Sequence, residues 1–391
     1  MADLVRAAGQ AFIDSNRGWL SGQQIRTLRA IQGCRTAALG GHLDQCVRCG
    51  HQAISYNSCR NRHCPKCQSN ARRRWLEARR SELLPVPYAH VVFTLPHELA
   101  PLALQNKKVV YSLLFRASAE ALLEAAGNPR WLGAEIGFFG VLHSWNQKLE
   151  HHPHVHYVVP TGGLSPDYSR WVRPRSQFFL PVRVLGRLFR GKFTAALKRA
   201  FERGQLGFYG KLKPLGQPKT FRALLRQTWR HEWVVYAKRP FGGPDHVLRY
   251  LGGYTHRVAI SNHRLVALED GQVSFRWRDS AHHNQKRLMK LPVNEFLRRF
   301  LLHLLPRGFV RIRHFGFLAN RRRAGLLSLC MTLLAKAPPA KGPTATPGSP
   351  DPEFWACPVC RGPMVIVERL APAPTRNRPP PIVVEALCPT N

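Results

Sequence analysis

Residues 151–163 read His-His-Pro-His-Val-His-Tyr-Val-Val-Pro-Thr-Gly-Gly, an apolar run carrying imidazoles at alternate positions. Side chains two apart on a strand leave by the same face, so His154 and His156 point together. Val155, Tyr157 and Val159 then turn the other way, into a core. Two such imidazoles can grip one divalent ion. His143, on a preceding strand, is the third-ligand candidate and Gln147 its rival, while His151 and His152 stand at the strand entrance as outer or exposed groups. Three neutral imidazoles leave positions open on Mg²⁺ or Mn²⁺, ions that prefer oxygen, and a phosphate and water would supply the missing ligands. An ion held this way acts as a Lewis acid on the phosphate.

Tyr250 and Tyr254, in Tyr250-Leu251-Gly252-Gly253-Tyr254, are spaced i, i+4 and share one face if the segment is helical. Ordinary packing is the plain reading of such a pair. Gly252 and Gly253 argue against it, because each weakens a helix by ~1 kcal/mol relative to Ala and leaves room for a nucleic-acid backbone. Arg249, His256 and Arg257 flank the pair and favour a phenolate, so the tyrosines are the candidate nucleophiles.

The cysteines suggest a second metal. Cys46-x2-Cys49 and Cys64-x2-Cys67 have the spacing of two knuckles that place four thiolates round one structural Zn²⁺, with Cys59 and His63 as alternative ligands. A closed four-ligand site folds a short segment and leaves no position for catalysis. Arg60, Arg62, Lys66, Arg72, Arg73 and Arg74 surround and follow these cysteines, against the single acid Glu77 over residues 60–80. That stretch is a candidate phosphate-gripping arm.

The whole chain supports a polyanionic partner. It has 59 Lys plus Arg against 22 Asp plus Glu, a formal net charge of +37 over 391 residues. Nucleic acid suits that field, since each neutralised phosphate releases condensed counterion. The N-terminus lacks a charged-then-apolar signal pattern and no run of 18 apolar residues occurs, so a cytoplasmic, nucleoid-associated protein without a membrane partner is expected. In that reducing compartment the ten cysteines are metal ligands or inert thiols before they are disulfides.

These groups need a scaffold. Apolar spacing predicts short helices up to residue 34, a basic helix over 71–80 and strands over 91–94, 136–142 and 154–159. Helices are expected over 102–126, 193–201 and 221–225, a strand over 233–237, and a hairpin of 258–268 with 273–277 across Glu269-Asp270-Gly271. The fold class is α+β, a mostly antiparallel sheet with flanking helices. The expected organisation is N-terminal helices and zinc-binding domain over 1–84, catalytic domain over 85–280, helical region over 281–335, and largely disordered Pro-rich tail over 336–391. Within that tail, Cys357 and Cys360 suggest half of a further knuckle, but only Cys388 follows.

Three segments resemble the HUH single-strand endonuclease superfamily, and most closely the rolling-circle transposases of the insertion-sequence ninety-one family. Residues 56–67 (Tyr-Asn-Ser-Cys-Arg-Asn-Arg-His-Cys-Pro-Lys-Cys) look like that family's zinc domain, His152-Pro153-His154-Val155-His156 like its metal motif, and residues 250–261 like its tyrosine motif. The resemblance spans about residues 20–320. It implies an HUH-like sheet and a transposase that nicks single-stranded DNA at element ends through a 5′-phosphotyrosine. His154 and His156 would be the metal ligands and Tyr250 and Tyr254 the nucleophiles. Implied partners are single-stranded and double-stranded DNA at element ends and target, with host replication proteins as further candidates. The competing expectations are a zinc-dependent nucleic-acid binder without catalysis, and a rolling-circle replication initiator or relaxase.

Overall fold

β-Branched and aromatic residues alternating between two faces build the sheet that carries the histidines. In the computed structural model, residues 1–80, 82–174, 180–241, 258–279, 282–335 and 356–373 are described. Helices α1 (Ala2–Ser15) and α2 (Gly22–Gln32) precede a hairpin of β1 (Gly41–Cys46) and β2 (Gln52–Tyr56), and α3 (Pro65–Arg80) leads to β3 (Tyr88–Thr94). Then come α4 (Ala100–Gln105), α5 (Lys107–Gly127), β4 (Gly137–Trp145), β5 (His151–Pro160), β6 (Gly163–Leu164), β7 (Trp171–Val172), α6 (Val182–Glu202), α7 (Pro218–Trp229) and β8 (Val235–Phe241). The chain continues through β9 (Leu265–Glu269), β10 (Gln272–Asp279), β11 (Gln285–Pro292), α8 (Val293–Leu302), β12 (Ile312–Gly316), α9 (Arg323–Ala335) and β13 (Met364–Leu370).

Two compact units result. The larger comprises residues 62–347 with 11–20 and Met1; the smaller comprises 2–10, 21–61 and 348–391. In the larger unit five antiparallel strands run in the order β12-β4-β5-β3-β8. One face packs the main core: Val91, Phe93, Phe138, Leu142, Val155, Tyr157 and Val159 are buried with Tyr111, Leu114, Phe115, Phe189 and Phe193 of α5 and α6. The predicted inward set Val155, Tyr157 and Val159 is thus in the core. Gly140 lies opposite Tyr157, and a Cβ there would stand 2.4 Å from the tyrosine ring. That vacancy lets the ring cross β4, while its hydroxyl bonds Ser118 Oγ at 2.7 Å and Phe115 O at 3.1 Å on α5.

The opposite face has two halves. At one end Tyr88, Phe139, Val141 and Val158 form a second cluster with α9, and Trp75 and Leu76 of the basic helix α3 pack against it. At the other end the same alternation delivers histidines. Beside this sheet, β9, β10 and β11 form a separate three-stranded sheet. The expected hairpin turns at 269–271, but its first strand is only Leu265–Glu269, preceded by a 3-10 turn at Asn262–Arg264. Segment 281–335, expected to be helical, holds α8 and α9 together with β11 and β12, and β12 is the edge strand beside β4. Its signal is short and broken by Arg313 and His314, which sequence patterning does not resolve from a loop.

The smaller unit is a three-stranded sheet, β13-β1-β2, with α2. Residues 356–373 of the expected tail are ordered, and β13 pairs antiparallel with β1 from Gly41↔Leu370 to Cys46↔Met364. The expected disorder over 336–355 and 374–391 lies outside the described residues.

Candidate metal centres

The β4–β5 hairpin sets the first site. Its turn is fixed by Asn146, whose Oδ1 accepts from the amides of Lys148 (2.9 Å) and Glu150 (3.0 Å), with Leu149 in the left-handed region at φ 62°. That closure puts His143 directly opposite His154. His143, His154 and His156 then offer one nitrogen each within 4.8 Å of one another. Gln147, the rival third ligand, is exposed in the turn, where its carbonyl accepts from Arg264 at 2.6 Å. His151 faces the other way and bonds the Tyr111 hydroxyl through Nε2 at 2.8 Å, as strand alternation requires. His152 touches the site through its backbone: its carbonyl accepts from His154 Nδ1 at 2.7 Å, which leaves Nε2 of His154 to face the cluster.

Two neighbours hold the trio, and the sequence did not single them out. Trp145 lies flat on His143, centroids 4.4 Å apart at 22°. His90 of β3 places Nε2 2.9 Å from His156 Nδ1, with the two rings stacked at 5.1 Å and 5°. Only strand order reveals His90, because β3 is the neighbour of β5 and Val92 is the residue opposite His156. Tyr236 of β8, opposite Val92 and 54% exposed, turns its ring edge toward His90 at 6.4 Å.

Burial pushes His154 down to about 4. Burial, with the neighbouring histidines His143, His154 and His90, holds His156 well below the ordinary imidazole value. Both rings are therefore neutral near pH 7 and present lone pairs without first releasing a proton. With the nitrogen of His143 they form a set that suits a divalent ion keeping open positions for oxygen.

The cysteines do not group as their spacing suggested. Cys46 and Cys49 converge with Cys357 and Cys360, all within the smaller unit. In place of the expected single site of Cys46, Cys49, Cys64 and Cys67, the partners of Cys46 and Cys49 are thus the C-terminal pair Cys357 and Cys360. The reason is that β13 pairs along β1 and delivers a distant knuckle to the end of that strand. His63 is not among the grouped residues, and its Nε2 accepts from the Leu305 amide at 3.1 Å. Burial, aided by Arg62, Arg311 and Lys107, pushes it down to about 3.

Among the candidate phosphate contacts, Arg60, Arg62, Arg72 and Arg74 are exposed, Lys66 is half-buried, and Arg73 approaches Glu77 at 3.5 Å. Helix α3 is anchored by Trp75, edge-on to Phe139 at 5.6 Å. Phe139 and His143 lie four residues apart on one face of β4, so the Trp75 anchor point is ~13 Å along the strand from His143. Tyr250, Tyr254, Arg249 and Arg257 lie outside the described residues. No helix among the described residues is long and apolar enough to cross a membrane.

Two family models match the chain: one described as a transposase zinc-binding domain over residues 4–95, and one described as "Putative transposase" over residues 137–325. A relative from Sinorhizobium fredii, named "Putative transposase y4qJ", is 52% identical over 94% of this chain and 94% of its own length. The transposase for insertion sequence element IS801 of Pseudomonas savastanoi pv. phaseolicola is 28% identical over 88% of this chain and 80% of its own length. No solved structure matches the chain.

Proposed function

Because this chain belongs to the IS91 family of transposases, we propose that it moves its element by cutting and rejoining single-stranded DNA with a tyrosine nucleophile. The observation that supports this reading most is the convergence of His143, His154 and His156 on one face of the central sheet. These three side chains would hold Mg²⁺ or Mn²⁺, which would supply Lewis acidity to the scissile phosphate. The phenol of Tyr250 or Tyr254 attacks phosphorus, its proton passing to solvent or a nearby base. The bond to the 3′-oxygen breaks, and that oxygen leaves as a hydroxyl after taking up a proton. The products are a 5′-phosphotyrosine and a free 3′-hydroxyl, so one phosphoester replaces another. Rejoining by an incoming 3′-hydroxyl therefore needs no ATP. Arg249 and Arg257 stabilise the phenolate, and the basic face of α3 holds the strand alongside.

The test uses single-stranded DNA from an element end, labelled at its 3′ terminus, with protein and Mn²⁺ or Mg²⁺. The label should become covalently attached to protein and stay free with the Tyr250→Phe/Tyr254→Phe variant, which still shifts the DNA. Tyr236→Phe is the control for the exposed tyrosine on the histidine face and should keep the adduct. A protein that shifts DNA under all conditions and never forms an adduct is a binder alone, and the reading fails.

A further inference from the structure

We infer that Cys46, Cys49, Cys357 and Cys360 form a second structural Zn²⁺ site that fastens the C-terminal strand to the N-terminal hairpin. The first observation is that two separate turns have the same construction. In the turn after β1 the Cys46 amide donates to His51 O at 2.9 Å and the Gly50 amide to Cys46 O at 3.0 Å; before β13 the Cys357 amide donates to Gly362 O at 2.7 Å and the Arg361 amide to Cys357 O at 2.8 Å. The fifth residue of each turn takes the left-handed conformation, Gly50 at φ 71° and Arg361 at φ 57°. For an arginine that conformation costs energy, and it persists only where its surroundings over-determine it.

The amides are also aimed at sulfur. Arg48 N lies 3.4 Å from Cys46 Sγ, Val359 N 3.4 Å from Cys357 Sγ, and Gly362 N 3.4 Å from Cys360 Sγ. Backbone donors to sulfur favour thiolate over thiol, the form that binds metal. Across the pair, Cys46 and Cys360 sulfurs stand 3.4 Å apart and Cys49 and Cys357 sulfurs 3.6 Å apart, with all four within 4.8 Å. A tetrahedral Zn²⁺ with ~2.3 Å bonds to sulfur spaces its ligands ~3.8 Å apart, whereas a disulfide needs ~2.05 Å. The spacing fits four thiolates round one ion.

The consequence for folding follows from chain separation. Cys46 and Cys360 are 314 positions apart, and a hairpin of β1 and β2 alone is a marginal structure in water. β13 completes the sheet, Val47 N bonds Pro363 O at 3.1 Å beside the knuckles, and the ion would lock that closure. With no position left open, the site takes no part in phosphate chemistry.

Zinc counting on the full-length protein, dialysed with reductant, tests this. The wild type should hold two tightly bound equivalents and the Cys357→Ser/Cys360→Ser variant one. Cobalt substitution should halve the tetrahedral thiolate bands in the variant. The Cys64→Ser/Cys67→Ser variant should also hold one equivalent, so that the zinc expected at Cys64 and Cys67 is counted apart from this one. Equal zinc in wild type and Cys357→Ser/Cys360→Ser overturns the inference. Should that variant fail to fold, the wild type alone decides. After chelation and denaturation without reductant, all ten cysteines should titrate as thiols, with two zinc released. A single equivalent, or only six thiols, overturns it, the latter in favour of two disulfides.

Discussion

The histidine face and the paired cysteine knuckles are both metal-ready clusters, yet they are assembled in opposite ways. His143, His154 and His156 come from one hairpin, so a tight turn and strand alternation bring them together. Cys46 and Cys360 meet only because β13 returns to β1 after more than three hundred residues. Local assembly is written in spacing, whereas long-range assembly depends on which strand finds which edge. The two sites should also fail differently: the histidine face by losing chemistry on an intact sheet, the knuckles by losing the closure of the smaller unit.

The largest effect should follow from breaking the local site. His154→Ala or His156→Ala removes one of the three proposed ligands, and Lewis-acid stabilisation worth several kcal/mol corresponds to a nicking rate lower by about 10²–10⁴. Circular dichroism and the thermal transition of the larger unit should stay near wild type, because Val155 and Tyr157, not the histidines, fill the core. A comparable loss of folded signal would show that the two clusters are alike after all, both being structural.

Legibility tracks the same division. The HxH pattern gave the histidine face, the inward set and the approach of His143 to His154 and His156, because each follows from period two and a short turn. His90 escaped because nothing in its own neighbourhood marks it; only the pairing of β3 beside β5 brings it to His156. The zinc grouping failed for a related reason. Two CxxC motifs close in sequence invited one site, but the Cys46–Cys49 knuckle takes its partner from the far end of the chain. Cys357 and Cys360 were recognisable as half a site, and their missing half lay upstream of the whole sheet. β12 was likewise hidden, a short polar edge strand whose identity comes from its neighbour β4.

Acid should separate the units next. Burial lowers His63 to about 3, His151 to about 4 and His303 to about 3, all in the larger unit. The unfolded chain binds these protons near pH 6.5 while the folded chain does not. Their contribution is therefore complete above pH 6.5 and declines as pH falls toward 4 and then 3. Each neutral imidazole costs about 1.4 kcal/mol of stability per pH unit across that window. Urea unfolding of the larger unit between pH 7 and 4 should show the loss, and His63→Gln should reduce its slope. An unchanged midpoint over that range would mean that these rings are solvated.

A smaller effect should come from the neighbour that orients a ligand. His90→Ala removes the partner of His156 Nδ1, and losing such an orienting contact typically weakens metal affinity about 10–100-fold. Calorimetric titration of Mn²⁺ into the protein without DNA would measure it directly. The nicking rate at saturating metal should change much less than in His156→Ala. If affinity holds and the saturated rate falls instead, His90 acts on the DNA and does not orient the ligand.

The smallest effect tests whether the smaller unit folds as its own cooperative block. Helix α2 begins with a reciprocal cap: the Gln24 amide donates to Ser21 Oγ at 3.3 Å, and the Ser21 amide donates to Gln24 Oε1 at 2.8 Å. The pattern Ser21-Gly22-Gln23-Gln24 states this cap in the sequence, since a serine followed three residues later by glutamine can satisfy two orphan amides at once. Ser21→Ala should cost about 1 kcal/mol. In a unit of under a hundred residues that lowers the transition by about 4–8 °C. If the knuckles and β13 close the smaller unit independently, only one of two transitions in a calorimetric scan moves, and it is the one that chelation also lowers. A shift shared equally by both transitions would mean that the units melt together, and the contrast between local and long-range assembly would then have no counterpart in stability.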